Sequence, residues 1–350
     1  MRCSARWRAR KTRCSCMTDE TKVPDVSVVI PCYNAERWVA RAIDSVLAQE
    51  GVTVEVIVID DGSTDGSVDV LRRYEDRIHW ETGPNRGACA ARNRGLALAR
   101  ADYVMFLDAD DYIGPELLAS MQQSITEHGA DCAIAQVFDQ SEHGPMVRRT
   151  RPRTDDWRHL LEDWLRGAFV PPCGLLWRRC LVEKIDGWNA QLRKNQDGDL
   201  VYRAILDGAA FCTTAEGHAV YWHHAGGRIS SNLSRGKLLD ALATMQTLTA
   251  ALESRGELTG PLRRAVSLSS HTLERRAVEL TDPALSRDLA DFRRSYGFPR
   301  YDGSTLHIAT SKIIGLPRKQ KISRILQGLQ QKLKGRRILR ESEAKHASQS

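Results

Sequence analysis

An apolar run that ends abruptly in acids limits the fold of this chain more than any other feature. Tyr103–Leu107 has the length and the residue types of a buried β-strand, and Asp108, Asp110 and Asp111 follow it. Unpaired charges are not tolerated inside a sheet, so the strand must end there. Its carboxylates then lie at the carboxyl edge of the sheet, where open α/β sheets bind their ligands.

Two of these acids are placed to act together. Asp108 and Asp110 are two residues apart, which puts both on one side of an extended chain. Their oxygens suit Mg2+ or Mn2+ bound together with a diphosphate. The same short pattern also fits a strand end followed by a helix that starts at Gly114 and Pro115. The pattern alone therefore does not distinguish a metal site from an ordinary strand end, and other parts of the chain are needed.

The same arrangement occurs a second time. Val54–Ile59 predicts a buried strand, and Asp60 and Asp61 follow it directly. Val26–Ile30 predicts a neighbouring strand that Pro31 closes, with Asn34 as a helix N-cap. Because the carboxyl ends of parallel strands meet at one edge, we expect the two sets of acids to lie on the same rim.

Strands and helices alternate along the first part of the chain, which predicts a mostly parallel sheet with right-handed crossovers. The predicted strands cover 26–30, 54–59, 78–81, 103–107, 132–137, 211–214 and 218–224. The predicted helices cover 38–49, 68–74, 88–99, 115–128, 157–165, 179–184, 199–206, 237–254, 261–281 and 284–295. The polar and basic segment 139–156 predicts a loop or a hairpin.

The net charge of +7 is unevenly distributed. Residues 1–16 and 318–340 are rich in arginine and lysine and contain no acid. The body between them is therefore acidic, which argues against a nucleic-acid-binding core. No glycine-rich phosphate loop of the dinucleotide-binding or P-loop type is present, so neither of those enzyme classes is supported.

The cysteines and the first residues suggest a cellular compartment. Nine cysteines are scattered without a Cys-x-x-Cys pair, which fits a reducing cytoplasm better than a disulfide or zinc framework. The arginine-rich start lacks the apolar segment of a secretory signal, and no apolar run is long enough to span a bilayer. We expect residues 1–22 to be a disordered extension, or translation to begin at Met17.

The basic segment near the C-terminus has an apolar face. Its apolar residues repeat with helical spacing among lysines and arginines: Ile322, Ile325, Leu326, Leu329 and Leu333. This pattern is typical of a helix lying on an anionic membrane surface, which would place the protein on the inner face of the membrane. The alternative is a solvated helix that packs on the body of the protein.

Four ordered motifs resemble those of family 2 glycosyltransferases with the GT-A fold, of the bacterial, non-processive type. They are Ser27–Asn34, Asp60–Asp65, Asn85–Asn93 and Phe106–Asp111. The resemblance implies a Rossmann-like nucleotide-binding half with a mixed central sheet flanked by helices, plus a C-terminal helical extension. The expected domains are the extension 1–22, the GT-A domain 23–232, a helical region 233–317 and the basic amphipathic tail 318–350.

The resemblance also implies roles for residues at the strand ends. Pro31, Tyr33 and Asp61 match the part that holds the nucleotide base, with Asp61 accepting a hydrogen bond from it. Asp108 and Asp110 match the Asp-x-Asp motif. Asp110 is the expected direct metal ligand, while Asp108 lies nearer the ribose and completes the metal site.

The general base of this family usually lies in a Glu-Asp pair at the start of a helix in the second half. The matching stretch here has Gln196 in place of the glutamate, followed by Asp197. We therefore assign the base to Asp197 and a sugar contact to Gln196. Asp199 is the competing candidate, although a first-turn helix acid explains it as well.

Three further residues receive roles by resemblance, each with an alternative. Arg92 neighbours the diphosphate, or is a surface arginine on its helix. His224 completes the metal shell, or is a strand-end histidine with an ordinary hydrogen bond. Trp188 stacks on a donor or acceptor sugar, or packs in the core.

The implied activity is metal-dependent, inverting transfer of a sugar from a nucleotide diphosphate to an acceptor hydroxyl, in cell-envelope polysaccharide or glycolipid synthesis. The resemblance favours a UDP-sugar, with GDP and dTDP as alternatives, and a glycan or lipid-linked acceptor. A processive synthase would need membrane helices and a Gln-x-x-Arg-Trp segment, and the sequence lacks both. A catalytically inactive nucleotide-sugar-binding descendant is the alternative, but it would be expected to have lost Asp110 or Asp197.

Overall fold

The computed structural model describes residues 8–9, 23–193, 196–224, 233–300, 305–314 and 319. The predicted N-terminal extension 1–22, apart from Arg8 and Ala9, and the predicted tail 318–350, apart from Lys319, lie outside these residues. The described residues form two compact units, the first within 1–232 and 247–265 and the second within 233–246 and 266–350. Among the described helices, none combines the length and apolar composition needed to cross a membrane.

The described elements are mostly short. The strands are β1 Arg8–Ala9, β2 Val26–Cys32, β3 Val54–Asp60, β4 His79–Thr82, β5 Tyr103–Phe106, β6 Tyr112–Ile113, β7 Cys132–Ile134, β8 Val137–Ser141, β9 Val147–Arg148, β10 Leu175–Arg178, β11 Phe211–Thr213 and β12 Ala219–His223. The helices are α1 Val39–Leu47, α2 Ser67–Arg72, α3 Ala88–Leu96, α4 Leu117–His128, α5 Trp157–Leu165, α6 Arg179–Lys184, α7 Gln196–Leu206, α8 Arg235–Ser254, α9 Gly260–Glu279, α10 Pro283–Ser295 and α11 Thr305–Ile314.

The larger sheet has the strand order β1-β4-β3-β2-β5-β10-β7-β11. The four strands β4, β3, β2 and β5 run parallel to each other, as the alternation of elements predicts. Strand β10 lies antiparallel between β5 and β7 and makes the sheet mixed. The parallel strands therefore bring the ends of β3 and β5, and the acids that follow them, to one edge.

The prediction that Pro31 closes its strand is wrong. Strand β2 continues to Cys32, with Pro31 opposite Ile59 of β3. On its other side, the pairing with β5 ends at Val29. Alternate residues of a strand direct their backbone groups to opposite sides, so Pro31 faces the β5 side, where no further ladder bond is needed. A proline is tolerated in a strand at such a position.

The smaller sheet has the order β6-β12-β8-β9. Strands β8 and β9 form an antiparallel hairpin, which confirms the hairpin alternative for 139–156. The single strand predicted over 132–137 is wrong, because the chain leaves the larger sheet after Ile134 and enters the smaller one at Val137. Strand β12 ends at His223 and carries the chain back toward the acids after β5.

Helix α3 lies unusually close to the central strand β2. A Cβ atom added at Gly95 would come within 2.2 Å of a methyl group of Val29, so only glycine permits this approach. The buried face of α3 includes Cys89, Ala91 and Arg92. The close packing therefore carries Arg92 down against the sheet, and the surface-arginine alternative for that residue is wrong.

The second unit has a polar centre of its own. Arg293 is buried and donates to Ser267 O and to Ser270 Oγ, the latter at 2.7 Å. His271 and Glu274 lie 3.3 Å apart beside it. A buried guanidinium needs such acceptors because an unpaired buried charge costs several kcal/mol. These contacts hold helices α9 and α10 together within that unit.

Candidate active site

The loop after β2 is fixed by the loop after β3. The backbone N–H of Asn34 donates to Ser63 Oγ at 2.9 Å, and Asn34 Oδ1 accepts from the backbone N–H of Thr64 at 2.8 Å. Asn34 has a left-handed backbone (φ 49°), so its prediction as a helix N-cap is wrong. Helix α1 instead begins at Val39. Tyr33 lies in this loop with 43% of its surface exposed, available to a ligand.

The two acids after β3 have different surroundings. Asp60 is buried and accepts a hydrogen bond from Thr82 Oγ1 at 2.6 Å. Asp61 is also buried, and its two oxygens accept from the backbone N–H groups of Arg86 and Gly87 at 2.7 and 2.8 Å. Burial raises the pKa of Asp61 above its ordinary value, although these two donors oppose the shift. Asp61 thus fixes the turn that begins helix α3.

Three acids lie together after β5. Oxygens of Asp108, Asp110 and Asp111 all lie within 4.8 Å of one another. Asp108 and Asp110 are partly exposed, whereas Asp111 is fully buried and accepts from the backbone N–H of Trp222 at 2.9 Å. Carboxylate oxygens at this spacing are the ligands preferred by Mg2+ and Mn2+. Asp111 has no predicted role, yet it lies with the two predicted acids and connects them to β12 through its hydrogen bond to Trp222.

Arg92 connects the strand-end acids with helix α7. Its guanidinium donates to Asp108 Oδ1 at 2.5 Å and to Gln196 Oε1 at 3.4 Å. Only 6% of its side chain is exposed, compared with 29% for Asp108. The charges of Asp108 and Asp197 raise the pKa of Arg92 against its burial, so the guanidinium stays charged. Removal of Arg92 would leave Asp108 and Asp197 without the cation that they share.

Trp188 packs beneath Arg92. The guanidinium lies 4.4 Å from the indole centroid, and Phe106 meets the same ring edge to face at 5.1 Å. Asn93 holds the backbone of Trp188 through two hydrogen bonds of 2.7 Å. Because only 3% of Trp188 is exposed, the structure favours the packing alternative over the predicted sugar contact.

Asp197 lies in the first turn of helix α7. The helix begins at Gln196 and not at Asp199, so the predicted boundary is wrong by three residues. Burial raises the pKa of Asp197 to about 6, with Arg92 opposing the shift and Asp108 adding to it. A carboxyl group with a pKa near the working pH is suited to general-base catalysis.

The competing candidate Asp199 has a different environment. Its Oδ2 accepts two hydrogen bonds from the Arg203 guanidinium, at 2.7 and 2.9 Å. Arg203 also donates to the carbonyl of Gly187 at 2.7 Å. Asp199 is therefore part of an ion pair that holds α7 against the turn before Trp188. This environment supports the helix-acid alternative for Asp199.

The predicted metal ligand His224 lies beside Asp110. Its Nε2 is 3.4 Å from Asp110 Oδ2, and its ring stacks on Trp38 at a centroid distance of 5.6 Å. Arg41 completes this group by donating to the backbone carbonyl of Asp110 at 2.8 Å. The guanidinium of Arg41 also lies 4.1 Å from the ring centroid of Trp222.

The structure thus brings most predicted residues to one rim. Asp108 and Asp110 lie with His224, and Arg92 links Asp108 to Gln196 and Asp197. Sequence reasoning missed Arg41, whose only signal is its place on the helix that follows the first motif. It also gave no role to Asn93, although this residue lies within the third motif. None of these contacts tests the predicted roles toward a nucleotide, which stay predictions.

Part of the chain that contains this site matches a known protein family. Residues 27–184 match the family described as Glycosyl transferase family 2. The succinoglycan biosynthesis protein ExoO of Rhizobium meliloti (strain 1021) is 30% identical over 223 residues, which make up 60% of this chain and 63% of that protein. The chain thus covers less than two thirds of that relative's length.

Two solved structures share the fold. TarS 1-349 of S. aureus, in complex with UDP-GlcNAc, has a TM-score of 0.53 and 18% identity, and the match covers 80% of this chain and 95% of that one. The mannosyltransferase PcManGT of Pyrobaculum calidifontis, in complex with GDP-Man and Mn2+, has a TM-score of 0.50 and 18% identity, over 88% and 85%. At this identity the likeness shows the fold alone, and it confirms the predicted GT-A architecture.

Proposed function

Because residues 27–184 belong to glycosyltransferase family 2, we propose that this chain moves a sugar from a nucleotide diphosphate to an acceptor hydroxyl, with inversion and with the help of a divalent cation. The observation that carries the proposal is the position of Arg92. Its guanidinium contacts Asp108, and its charge acts on Asp197. A strand-end acid and a helix acid, 89 positions apart in the sequence, therefore lie around one guanidinium.

The acids after β5 fit a divalent cation. Asp108, Asp110 and Asp111 offer oxygens within 4.8 Å of one another, and Asp110 and His224 are in contact. We assign Asp110 and His224 as ligands. Asp108 has one oxygen on Arg92 and keeps the other for the ribose or the cation. A bound cation would neutralise charge on the leaving diphosphate as a Lewis acid.

Asp197 is assigned as the general base. With a pKa of about 6, its carboxylate is ionised at neutral pH and can accept the proton of the acceptor hydroxyl. A single displacement with one base inverts the configuration at the anomeric carbon. Gln196 and Arg92 hold the region around this base, since Gln196 also donates to the carbonyl of Leu192 at 2.6 Å.

The nucleotide base is assigned to the loops after β2 and β3. The exposed ring of Tyr33 offers a stacking surface, and Pro31 supports its loop from the end of β2. Asp61 already accepts from two backbone donors, yet each carboxylate oxygen has a second lone pair for a base N–H.

The donor and acceptor are inferred from the relatives. The TarS complex holds UDP-GlcNAc, which favours a UDP-sugar here, and the PcManGT complex with GDP-Man keeps GDP as an alternative. ExoO acts in succinoglycan biosynthesis, which favours a glycan or lipid-linked acceptor of the cell envelope. Attachment to an anionic membrane surface through 318–340 stays a prediction from the sequence.

A thermal stability screen tests the proposal. We expect one class among UDP-, GDP- and dTDP-sugars to raise the melting temperature in the presence of Mn2+ or Mg2+ and to lose that effect in EDTA. The variant Asp110→Asn should bind donor without the cation dependence. Stabilisation without turnover of donor or acceptor would favour the inactive descendant, and no stabilisation by any nucleotide sugar would contradict the proposal.

A further inference from the structure

An open depression of about 420 Å³ lies beside the β8–β9 hairpin. We refer to Asp108, Asp110, His224, Arg92 and Asp197 as the acid rim, and none of them lines this depression. Five residues line it: Gln136, Arg148, Arg149, Thr150 and Arg151. We refer to these five residues as the arginine basin. Three guanidinium groups within four positions are unusual in a chain whose body is acidic, and the proposed chemistry of the acid rim uses none of them.

Neutral oxygens hold two of these arginines. Arg148 Nε donates to the side-chain oxygen of Gln136 at 2.7 Å. The amide nitrogen of Gln136 donates to the carbonyls of Val137 and Arg149, both at 2.9 Å, which fixes its orientation. Arg151 donates to the carbonyl of Thr214 at 2.9 Å. These bonds orient the guanidinium groups without neutralising their charge.

The third arginine is neutralised. Arg149 binds both oxygens of Asp139, at 2.7 and 3.1 Å, and His223 contacts the same carboxylate at 2.8 Å. Among the described residues, the basin thus has three cations, and one of them, Arg149, is paired with an acid. Consistent with this excess, burial and the nearby charge of Arg148 lower the pKa of Arg151. The next arginine along the chain, Arg153, is instead paired with Asp163 and Glu162.

The register of the smaller sheet gives the backbone spacing between β9, which carries Arg148, and β6, which follows the acids. Arg148 lies opposite Phe138, Phe138 opposite Val220, and Val220 opposite Tyr112. With adjacent strands about 4.8 Å apart, three steps separate the backbones of Arg148 and Tyr112 by about 14 Å. Tyr112 directly follows the acid cluster. A ligand that contacts both places must be longer than one sugar.

We propose that the arginine basin binds the oxyanions, phosphate or carboxylate, of an acidic glycan whose hydroxyl reacts at the acid rim. Planar guanidinium groups bind both kinds of oxyanion through paired hydrogen bonds. The proposal rests on the proposed function, because it names the acceptor class of that site. It makes Arg148 and Arg151 acceptor-binding residues.

Binding of short glycans, measured without nucleotide and without divalent cation, tests whether the arginine basin binds oxyanions. Calorimetry would compare a glycerol-phosphate oligomer, tetragalacturonate and neutral maltotetraose on the full chain. We expect an anionic probe to bind and maltotetraose not to bind. The better of the two anions identifies the oxyanion. Arg148→Gln should weaken binding about tenfold, the loss of roughly one charge-assisted hydrogen bond.

Arg153→Gln is the matched control, since it removes the same charge five residues away and should change binding less than twofold. Arg148 is exposed, so its variant is expected to fold even if Arg151→Gln does not. Equal losses in the Arg148 and Arg153 variants, or no binding of either anionic probe, would overturn the proposal. Donor stabilisation of the wild-type protein is measured separately, so failure of the proposed function is distinguishable.

Discussion

Two arginines of this chain show opposite uses of the same side chain. Arg92, in the acid rim, is 6% exposed and donates to a carboxylate. Arg148, in the arginine basin, is exposed and donates to a neutral amide. A cation paired with an acid stabilises the arrangement of the site, because the acid already neutralises its charge. A cation oriented by neutral oxygens keeps its charge for a ligand. The comparison therefore distinguishes arginines that stabilise the structure of a site from arginines that bind a ligand.

The largest expected effect concerns the acid rim. Asp197→Asn removes the proton acceptor but keeps the shape of the side chain, so transfer should fall roughly 10²- to 10⁴-fold while donor binding changes little. Steady-state turnover and donor affinity measure the two quantities. Unchanged turnover would remove Asp197 from the mechanism.

Asp199→Asn serves as the control for that experiment. Asp199 is paired with Arg203, so the change should reduce stability before it affects chemistry. A loss of turnover as large as that of Asp197→Asn, in a folded protein, would exchange the roles of the two acids.

The second prediction compares the two arginines directly. Arg92→Met should reduce the free energy of unfolding by about 2 kcal/mol, less than for a fully buried pair because Asp108 is partly hydrated. Arg148→Gln should change it by less than about 0.5 kcal/mol. Chemical denaturation measures both values. Similar losses in the two variants would show that the arginine basin is a structural element and not a binding surface.

The strand-end acids were predictable from the sequence for a physical reason. Apolar runs of strand length must stop at a charge, and parallel strands bring such stops to one edge. The family resemblance placed Asp197 on a helix start, although the helix begins earlier than predicted. Gln196 turns its amide back onto the Leu192 carbonyl, and side-chain bonds of this kind have no periodic signal.

The burial of Arg92 was not predictable in the same way. It depends on how closely α3 approaches β2, and Gly95 permits that approach only because Val29 lies opposite it. Likewise, the left-handed backbone of Asn34 depends on partners in the loop after β3. Such long-range contacts determine which polar residues find hydrogen-bond partners within the protein. The local sequence pattern determines only where strands and helices lie.

The smallest expected effect is in the pH dependence. The pKa of Asp197 is about 6, and the base must be ionised to act, so kcat/KM should be level above pH 6 and fall about tenfold per unit below it. Arginine stays charged throughout this range, so binding of the glycerol-phosphate oligomer to the arginine basin should not show this fall below pH 6. The free energy of unfolding, measured over the same pH range, distinguishes this loss of activity from unfolding of the protein by acid. Because the folded-state pKa of Asp197 lies above the ordinary value, the folded state binds the extra proton between about pH 4 and 6, and this residue should stabilise the fold as the pH falls through 6. Asp197→Asn should abolish that contribution, and a stability curve identical in both proteins would contradict the raised pKa.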